Sequence, residues 1–281
     1  MTELAELLPP DTPASGPSPT RVKPERPYYY VLPGRWYTGS FPQIYDTREV
    51  PAAAILKANY HTIRREVLEY YAKYGGTIQP MFTPYNYKEA GWRTLNLYSM
   101  FMRYGESCAR LPETTKIVES IPGMLTAQIA LLYPGTRLKA HFADTSVFVR
   151  SHIGIQIPGT LPDIGMRVKR HVTCWKEGEV FAFCPAHRHY TWNRTSGIRI
   201  MLQVDTIRPE FYARRHLIGG NVLAATVTKL LATRYPALRK VPRPVVLATH
   251  RTIGLLFGVF LWLQDRTGLD TGALLARLKG K

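Results

Sequence analysis

The chain has 281 residues, 45% of them hydrophobic, enough to bury a real core in one sizeable domain with extensions or in two small domains. Its 37 Lys and Arg against 20 Asp and Glu leave a formal charge of +17, which favours anionic partners: acidic peptides, phospholipid headgroups, nucleic acid or a dicarboxylate cosubstrate. Three cysteines, Cys108, Cys174 and Cys184, with no CxxC spacing, exclude a disulfide framework and suit a reducing cytosol.

Residues 1–27 carry seven prolines with Ser and Thr between them. That composition buries too little apolar surface to order itself and reads as a flexible leader. No basic stretch followed by an apolar run opens the chain, so no signal peptide is expected. Residues 28–50 are aromatic and irregular and read as extended chain packed on the core. From Pro51 to Lys73 the pattern predicts a helix: Pro51 suits a first turn, Ile55, Tyr60, Ile63, Val67, Leu68 and Tyr71 fall near helical spacing, and Gly75-Gly76 ends the run. Trp92–Met100 and Met124–Pro134 read as strands. Between them Leu111–Gly123 predicts a short helix with Thr114 or Glu113 near its N-cap.

From Met124 to Asp205 short β-rich runs are broken by Pro and Gly. In VFVRSHIGIQI, alternation places Arg150, His152 and Gly154 on one face and Val149, Ile153 and Ile155 on the other. Many short strands at this spacing predict an all-β sandwich or barrel. The best match is the doubled-sheet jelly roll shared by cupins and many oxygenases. Residues 211–281 hold 12 Lys and Arg against Asp265 and Asp270, so +10 of the chain's +17 lies there. Within them Thr252–Leu263 is apolar on all sides but, at twelve residues, too short to span a bilayer. A core helix is the first expectation, and a helix dipped into a membrane surface the sharper one. Gly254 and Gly258 make a GxxxG, a weak signal in so short a run.

The stretch from His141 to Arg199 carries the chemistry. His141 precedes Arg150 by nine residues, and His189 precedes Arg199 by ten. Two histidines from opposite ends of a small barrel can hold one divalent metal, and two arginines can hold a carboxylate beside it. Two imidazoles and a carboxylate on one face are the usual solution for non-haem iron. The position two residues after His141 is Ala143, and Asp144 follows at three, where alternation turns it to the other face. Either water or Asp144 would complete the shell. Arg199, flanked by Ile198, Ile200 and Leu202, is a cation in an apolar strand that needs a buried partner. It is the first choice for the far carboxylate of a 2-oxo diacid, with Arg150 second and His152 beside it. His187 competes with His189 as ligand, but Trp192-Asn193, three residues on from His189, favours His189. His187 is left to line a substrate pocket. Trp175 and Trp192 read as core, Arg208 as an exposed turn residue, and Cys184 as a buried strand thiol.

The ordered motifs PGTRLKAH, RSHIGIQIP, WKEGEVFAF, HYTWN and RIMLQVDxxRP, with GESCARLPETTKIVESIPG upstream, resemble the aspartyl/asparaginyl β-hydroxylase family over roughly residues 91–210. The resemblance implies a mainly β fold, a double-stranded β-helix of jelly-roll or cupin type with flanking N-terminal and C-terminal helices. It also implies a 2-oxoglutarate-dependent dioxygenase using Fe(II), 2-oxoglutarate and O2, with His141 and His189 as the iron ligands. Arg199, Arg150 and His152 become the 2-oxoglutarate contacts. Some members lack the carboxylate ligand, and Ala143 is similar to that subgroup. Relatives acting on lipid A or ornithine-lipid acyl chains tend to keep an HxD, which Ala143 lacks. Serine and methionine are frequent in the family's strand before the first ligand. Ala130 and Leu132 stand there here, which removes one hydrogen bond to the cosubstrate.

The chain thus divides into a Pro-rich leader (1–27), an oxygenase domain with N-terminal helical support (28–210) and a basic helical extension (211–281). The expected activity is hydroxylation of an unactivated C–H, first the β-carbon of an Asp/Asn-like residue, amino acid or natural-product intermediate. Alternatives are a membrane-lipid acyl hydroxylase, a non-haem iron halogenase using the place left by Ala143, and an inactive β-barrel binding module. Expected partners are 2-oxoglutarate, an amino-acid, peptide or lipid-like substrate, and an anionic membrane surface met by the extension. No RNP, zinc or helix-turn-helix signature points to specific nucleic acid. The expected location is cytoplasmic, with peripheral attachment to a membrane surface as the variant.

Overall fold

A computed structural model describes residues 26–29, 31, 37–79 and 91–268. Most of the Pro-rich leader and the last thirteen residues fall outside the described residues. The helix expected over Pro51–Lys73 is two helices, α1 (Pro51–Ala58) and α2 (Tyr60–Tyr74), separated by Asn59, whose N–H still reaches Ile55 O. Strands β1 (Trp92–Ser99) and β2 (Met102–Arg103) follow. Next come α3 (Gly105–Arg110), which the pattern did not predict as a helix, and α4 (Pro112–Glu119). Neither Thr114 nor Glu113 caps α4. The N-cap residue is Leu111, and the Glu66 carboxylate, sent from α2, accepts the N–H groups of Glu113 and Thr114 at 2.8 and 2.6 Å. An anion at a helix start satisfies orphan donors and the helix dipole together.

The β region comprises β3 (Met124–Leu132), β4 (Thr136–Arg137), β5 (Phe148–Gln156), β6 (Ile164–Val168), β7 (His171–Thr173), β8 (Val180–Phe183), β9 (His189–Asn193) and β10 (Arg199–Ile207). They form two sheets, ordered β2-β1-β3-β10-β5-β8 and β4-β9-β6-β7. From β3 onward the chain passes back and forth between the sheets, and neighbours pair antiparallel. This is the winding of a double-stranded β-helix, mainly β with helices at both ends.

The two faces of the large sheet are read directly from strand alternation. Ile129, Leu131, Ile153, Ile155, Leu202 and Val204 face outward and bury against Leu56 of α1, Ile63 and Val67 of α2, and Val118 of α4. The inner face looks at the small sheet across a second cluster: Ala130, Met201 and Phe183 against Ile164, Met166, Val168 and Trp175. The parity expected for β5 holds, since Ile153 and Ile155 lie in the outer core with Val149 packed on it. Arg150 and His152 therefore take the inner face.

After β10 come α5 (Arg215–Arg234) and α6 (Arg243–Thr267). Ile218 of α5 packs on Val147, Phe148, Ile207 and Phe211 of the barrel. α6 lies on α5. The expectation that Thr252–Leu263 is a core helix is overturned. Only His250, Gly254, Gly258 and Leu261 of α6 are buried, while Leu255 is 57% and Leu256 65% exposed. The twelve-residue run is part of a 25-residue helix, which by length and composition is apolar enough to cross a membrane. The GxxxG has a packing reason: a Cβ on Gly220 of α5 would sit 2.2 Å from Gly254 O and 2.5 Å from Gly258 N, so the helix backbones touch there.

Candidate active site

The two histidines are cross-strand neighbours. His141 N–H donates to His189 O at 2.9 Å and His189 N–H to His141 O at 3.0 Å, which brings the ring centroids to 4.3 Å. Each ring is oriented from behind by a backbone carbonyl. His141 Nδ1 lies 2.8 Å from Lys139 O, and His189 Nδ1 2.8 Å from His187 O. Those bonds place the proton on Nδ1 and make Nε2 the lone-pair nitrogen of both rings. Burial pushes both imidazoles below their ordinary pKa, His189 far below, with the neighbouring His141 adding to it. Two neutral rings with Nε2 as donor atom suit a divalent metal.

Arg199 opens β10 on the inner face. It is 1% exposed, and its guanidinium lies 4.6 Å over the Trp175 ring. Its one hydrogen bond among the described residues is a long one, Nη1 to Thr191 Oγ1 at 3.4 Å, and Nε has no partner. No carboxylate among the described residues pairs with it. Burial lowers its pKa to about 9, so it stays cationic at neutral pH. A buried guanidinium without a counter-ion is costly.

His152 sits in register with Gln203 of β10. Trp175 Nε1–H donates to His152 Nδ1 at 3.2 Å, so the His152 proton belongs on Nε2. That nitrogen has no hydrogen-bond partner of ordinary geometry, although Gln203 acts on the ring. Burial, then Arg150 and Arg199, hold this imidazole neutral. Phe183 stands edge-on to both His152 (5.2 Å) and His189 (5.3 Å), an apolar wall shared by the two imidazoles.

Arg150 shares the inner face, but its charge is already met. Its Nε and Nη2 donate to the fully buried carboxylate of Asp205 at 2.7 and 2.8 Å. Of the two guanidiniums read from the sequence, Arg199 is the one without a paired anion among the described residues. Asp144 is engaged by α5: Lys229 pairs with it, and Thr226 donates to it at 3.4 Å, while its charge still acts on His141. Ala143 occupies the position of the usual carboxylate, and the described residues contain no cluster of three His, Cys, Asp or Glu that could hold a metal. The donor set therefore fits a metal held by two imidazoles, with water and a chelating diacid at the remaining positions.

Two sequence expectations are displaced. His187 turns to the N-terminal segment, its Nε2 2.8 Å from Phe41 O and its ring 5.1 Å from Tyr37. Arg208 is not an exposed turn residue. It is 6% exposed, donates to Ser146 O at 2.9 Å and lies 3.7 Å over the Phe41 ring. Trp175 is buried as expected, yet it is the residue that joins His152 to Arg199. Its place in the WKEGEVFAF motif was the only hint, because an indole read from sequence is indistinguishable from core.

The family model for Aspartyl/Asparaginyl beta-hydroxylase matches residues 57–209. The chain belongs to this family. It is similar to an ornithine lipid ester-linked acyl 2-hydroxylase of Rhizobium tropici, at 30% identity over 60% of this chain and 61% of that one. It is also similar to aspartate beta-hydroxylase domain-containing protein 2 of Xenopus tropicalis, at 25% identity over 71% of this chain and 55% of that one. The chain thus spans about three-fifths of the length of these relatives. Among solved structures it is similar to a Pseudomonas putida prolyl-4-hydroxylase, with a TM-score of 0.37 and 15% identity over 56% of this chain and 98% of that one.

Proposed function

We propose that the chain is an Fe(II)- and 2-oxoglutarate-dependent hydroxylase, with His141 and His189 holding the iron and Arg199 the far carboxylate of the diacid. The observation that carries this reading is the Arg199 guanidinium, buried without a paired anion among the described residues, on the barrel face that also bears His152. His152 offers Nε2–H to the same ligand, and Arg150, fixed by Asp205, flanks it on the same face. When bound, iron and 2-oxoglutarate supply oxidation of an unactivated C–H: one oxygen atom of O2 enters the product, the other the succinate left after loss of CO2. The residues of this chain bind, orient and exclude water. Trp175, Phe183, Met166 and Met201 line the space between the sheets with apolar surface.

For the substrate, two observations favour an acyl chain of an amphiphilic lipid, although the missing HxD at Ala143 runs against it. One is the name of the Rhizobium tropici relative; the other is the uncovered apolar face of α6. The second reading, the β-carbon of an Asp/Asn-like residue, rests on the family description. Succinate formation from 2-oxoglutarate, with Fe(II) and either lipid extract or acidic peptides, decides between them. His141→Ala is expected to lower turnover by about a thousandfold or more and to abolish Mn(II) binding. Turnover retained in that variant would sink the assignment.

A further inference from the structure

α6 is the outermost layer of the molecule. Its buried residues, His250, Gly254, Gly258 and Leu261, recur every three or four positions and seat it on α5. The opposite face carries Val245, Leu255, Leu256, Val259, Trp262 and Leu263, each at least 42% exposed. No charged side chain interrupts it between Thr252 and Leu263. A soluble surface helix normally turns a polar face outward, and a patch of this kind marks a site of contact.

The surrounding charge selects the contact. Residues 211–268 contain nine Lys and Arg and one acid, Asp265, which Arg215 and His216 already bind at 2.8 and 3.0 Å. Lys240, Arg243, Arg251 and Arg266 are exposed around the apolar face, and the Arg266 guanidinium lies 4.9 Å over the Trp262 ring. Apposing a second copy would bring two such sets of cations together. An anionic bilayer surface answers both the cations and the leucines. A crossing orientation is disfavoured, because α5, against which α6 is laid, carries Arg215, Asn221, Lys229 and Arg234.

We infer that the outer face of α6 docks in the plane of an anionic membrane, so that the barrel is held at the lipid surface. α5 links this face to the site: Lys229 and Thr226 hold Asp144, three residues from His141. The inference gives the lipid reading of the substrate its route of delivery and rests on that reading, but its test is independent of turnover.

The full chain is floated with phosphatidylcholine vesicles, with and without phosphatidylglycerol. Flotation with the anionic vesicles, weakened by high salt, is expected. The double variant Leu255→Glu/Leu256→Glu is expected to bind about tenfold more weakly or worse, since each leucine loses its burial in lipid. Unchanged Mn(II) binding in that variant shows that the barrel is folded. Failure of the wild type to float overturns the inference, as does equal flotation of the variant. A wild-type dimer in sedimentation velocity that these substitutions dissociate, without flotation, assigns the face to a second copy and overturns it too. Flotation without any succinate formation from lipid leaves docking standing and removes the acyl substrate.

Discussion

The inter-sheet site and the outer face of α6 depart from ordinary burial in opposite directions. Among the described residues, the barrel interior holds a guanidinium that is 1% exposed with no paired anion, while the surface helix holds a leucine that is 65% exposed. Each is costly when the chain is alone: a buried charge loses hydration, and an exposed apolar face gains none. On the readings proposed above, each would become favourable with one kind of partner, a small diacid in the first case and a lipid surface in the second. The comparison separates what this fold needs to stand from what it keeps for binding. The outward side of the large sheet, packed on α1, α2 and α4, obeys the burial rule throughout and carries no candidate chemistry.

The largest expected effect that sharpens this contrast comes from Arg199→Met. If Arg199 is kept for a ligand, the variant raises the KM for 2-oxoglutarate by about a hundredfold, the loss of a bidentate charge-assisted pair. The melting temperature does not fall, because replacing an uncompensated buried cation by an apolar side chain of similar length is neutral or stabilising. Steady-state kinetics and calorimetry check the two halves separately. A large fall in melting temperature with an unchanged KM would make Arg199 a structural residue and erase the comparison.

The second effect belongs to the contact between α5 and α6. A side chain at Gly220 would collide with the backbone of Gly254 and Gly258 rather than with movable side-chain ends. Gly220→Leu is expected to cost about 1–3 kcal/mol of stability, read as earlier hydrogen exchange across α5 and α6. Mn(II) binding at His141 and His189 should be retained, since the barrel's inner face does not touch this contact. Loss of metal binding would show that the two regions are one cooperative unit.

The site was legible in the sequence to the extent that strand parity and charge decide it. Alternation alone put Arg150 and His152 on one face and Ile153 and Ile155 on the other, and an arginine between Ile198 and Ile200 is conspicuous in any strand. What sequence could not show is who answers each charge. Asp205 is fifty-five residues from Arg150, and only the pairing of β5 with β10 brings them opposite each other. The same holds for Glu66, which reaches α4 from forty-seven residues away and replaces the local caps that Thr114 and Glu113 offered. α6 misled in a different way. Apolar residues on all sides describe a core helix and an exposed apolar helix equally, and only the exposure of Leu255 and Leu256 separates them. Arg208 read as a surface residue because Pro209 follows it, whereas its burial depends on Phe41, far off in the chain.

The smallest expected effect tests how the interior is held ready. Trp175 does two things at once: its ring face supports the Arg199 guanidinium, and its Nε1–H donates to His152 Nδ1. Trp175→Phe keeps an aromatic ring beneath Arg199 and removes only the donor. His152 then loses the bond that places its proton on Nε2, and part of the population presents a lone pair, instead of N–H, to the anion. We expect the KM for 2-oxoglutarate to rise by about five- to tenfold, the size of one hydrogen bond to a charged group shared between two tautomers, with kcat little changed. Nitrogen chemical shifts of His152 report the tautomer directly. A purely structural role for Trp175 would lower stability without moving those shifts, so a changed melting temperature with an unchanged His152 spectrum would remove the indole from the positioning of the anion.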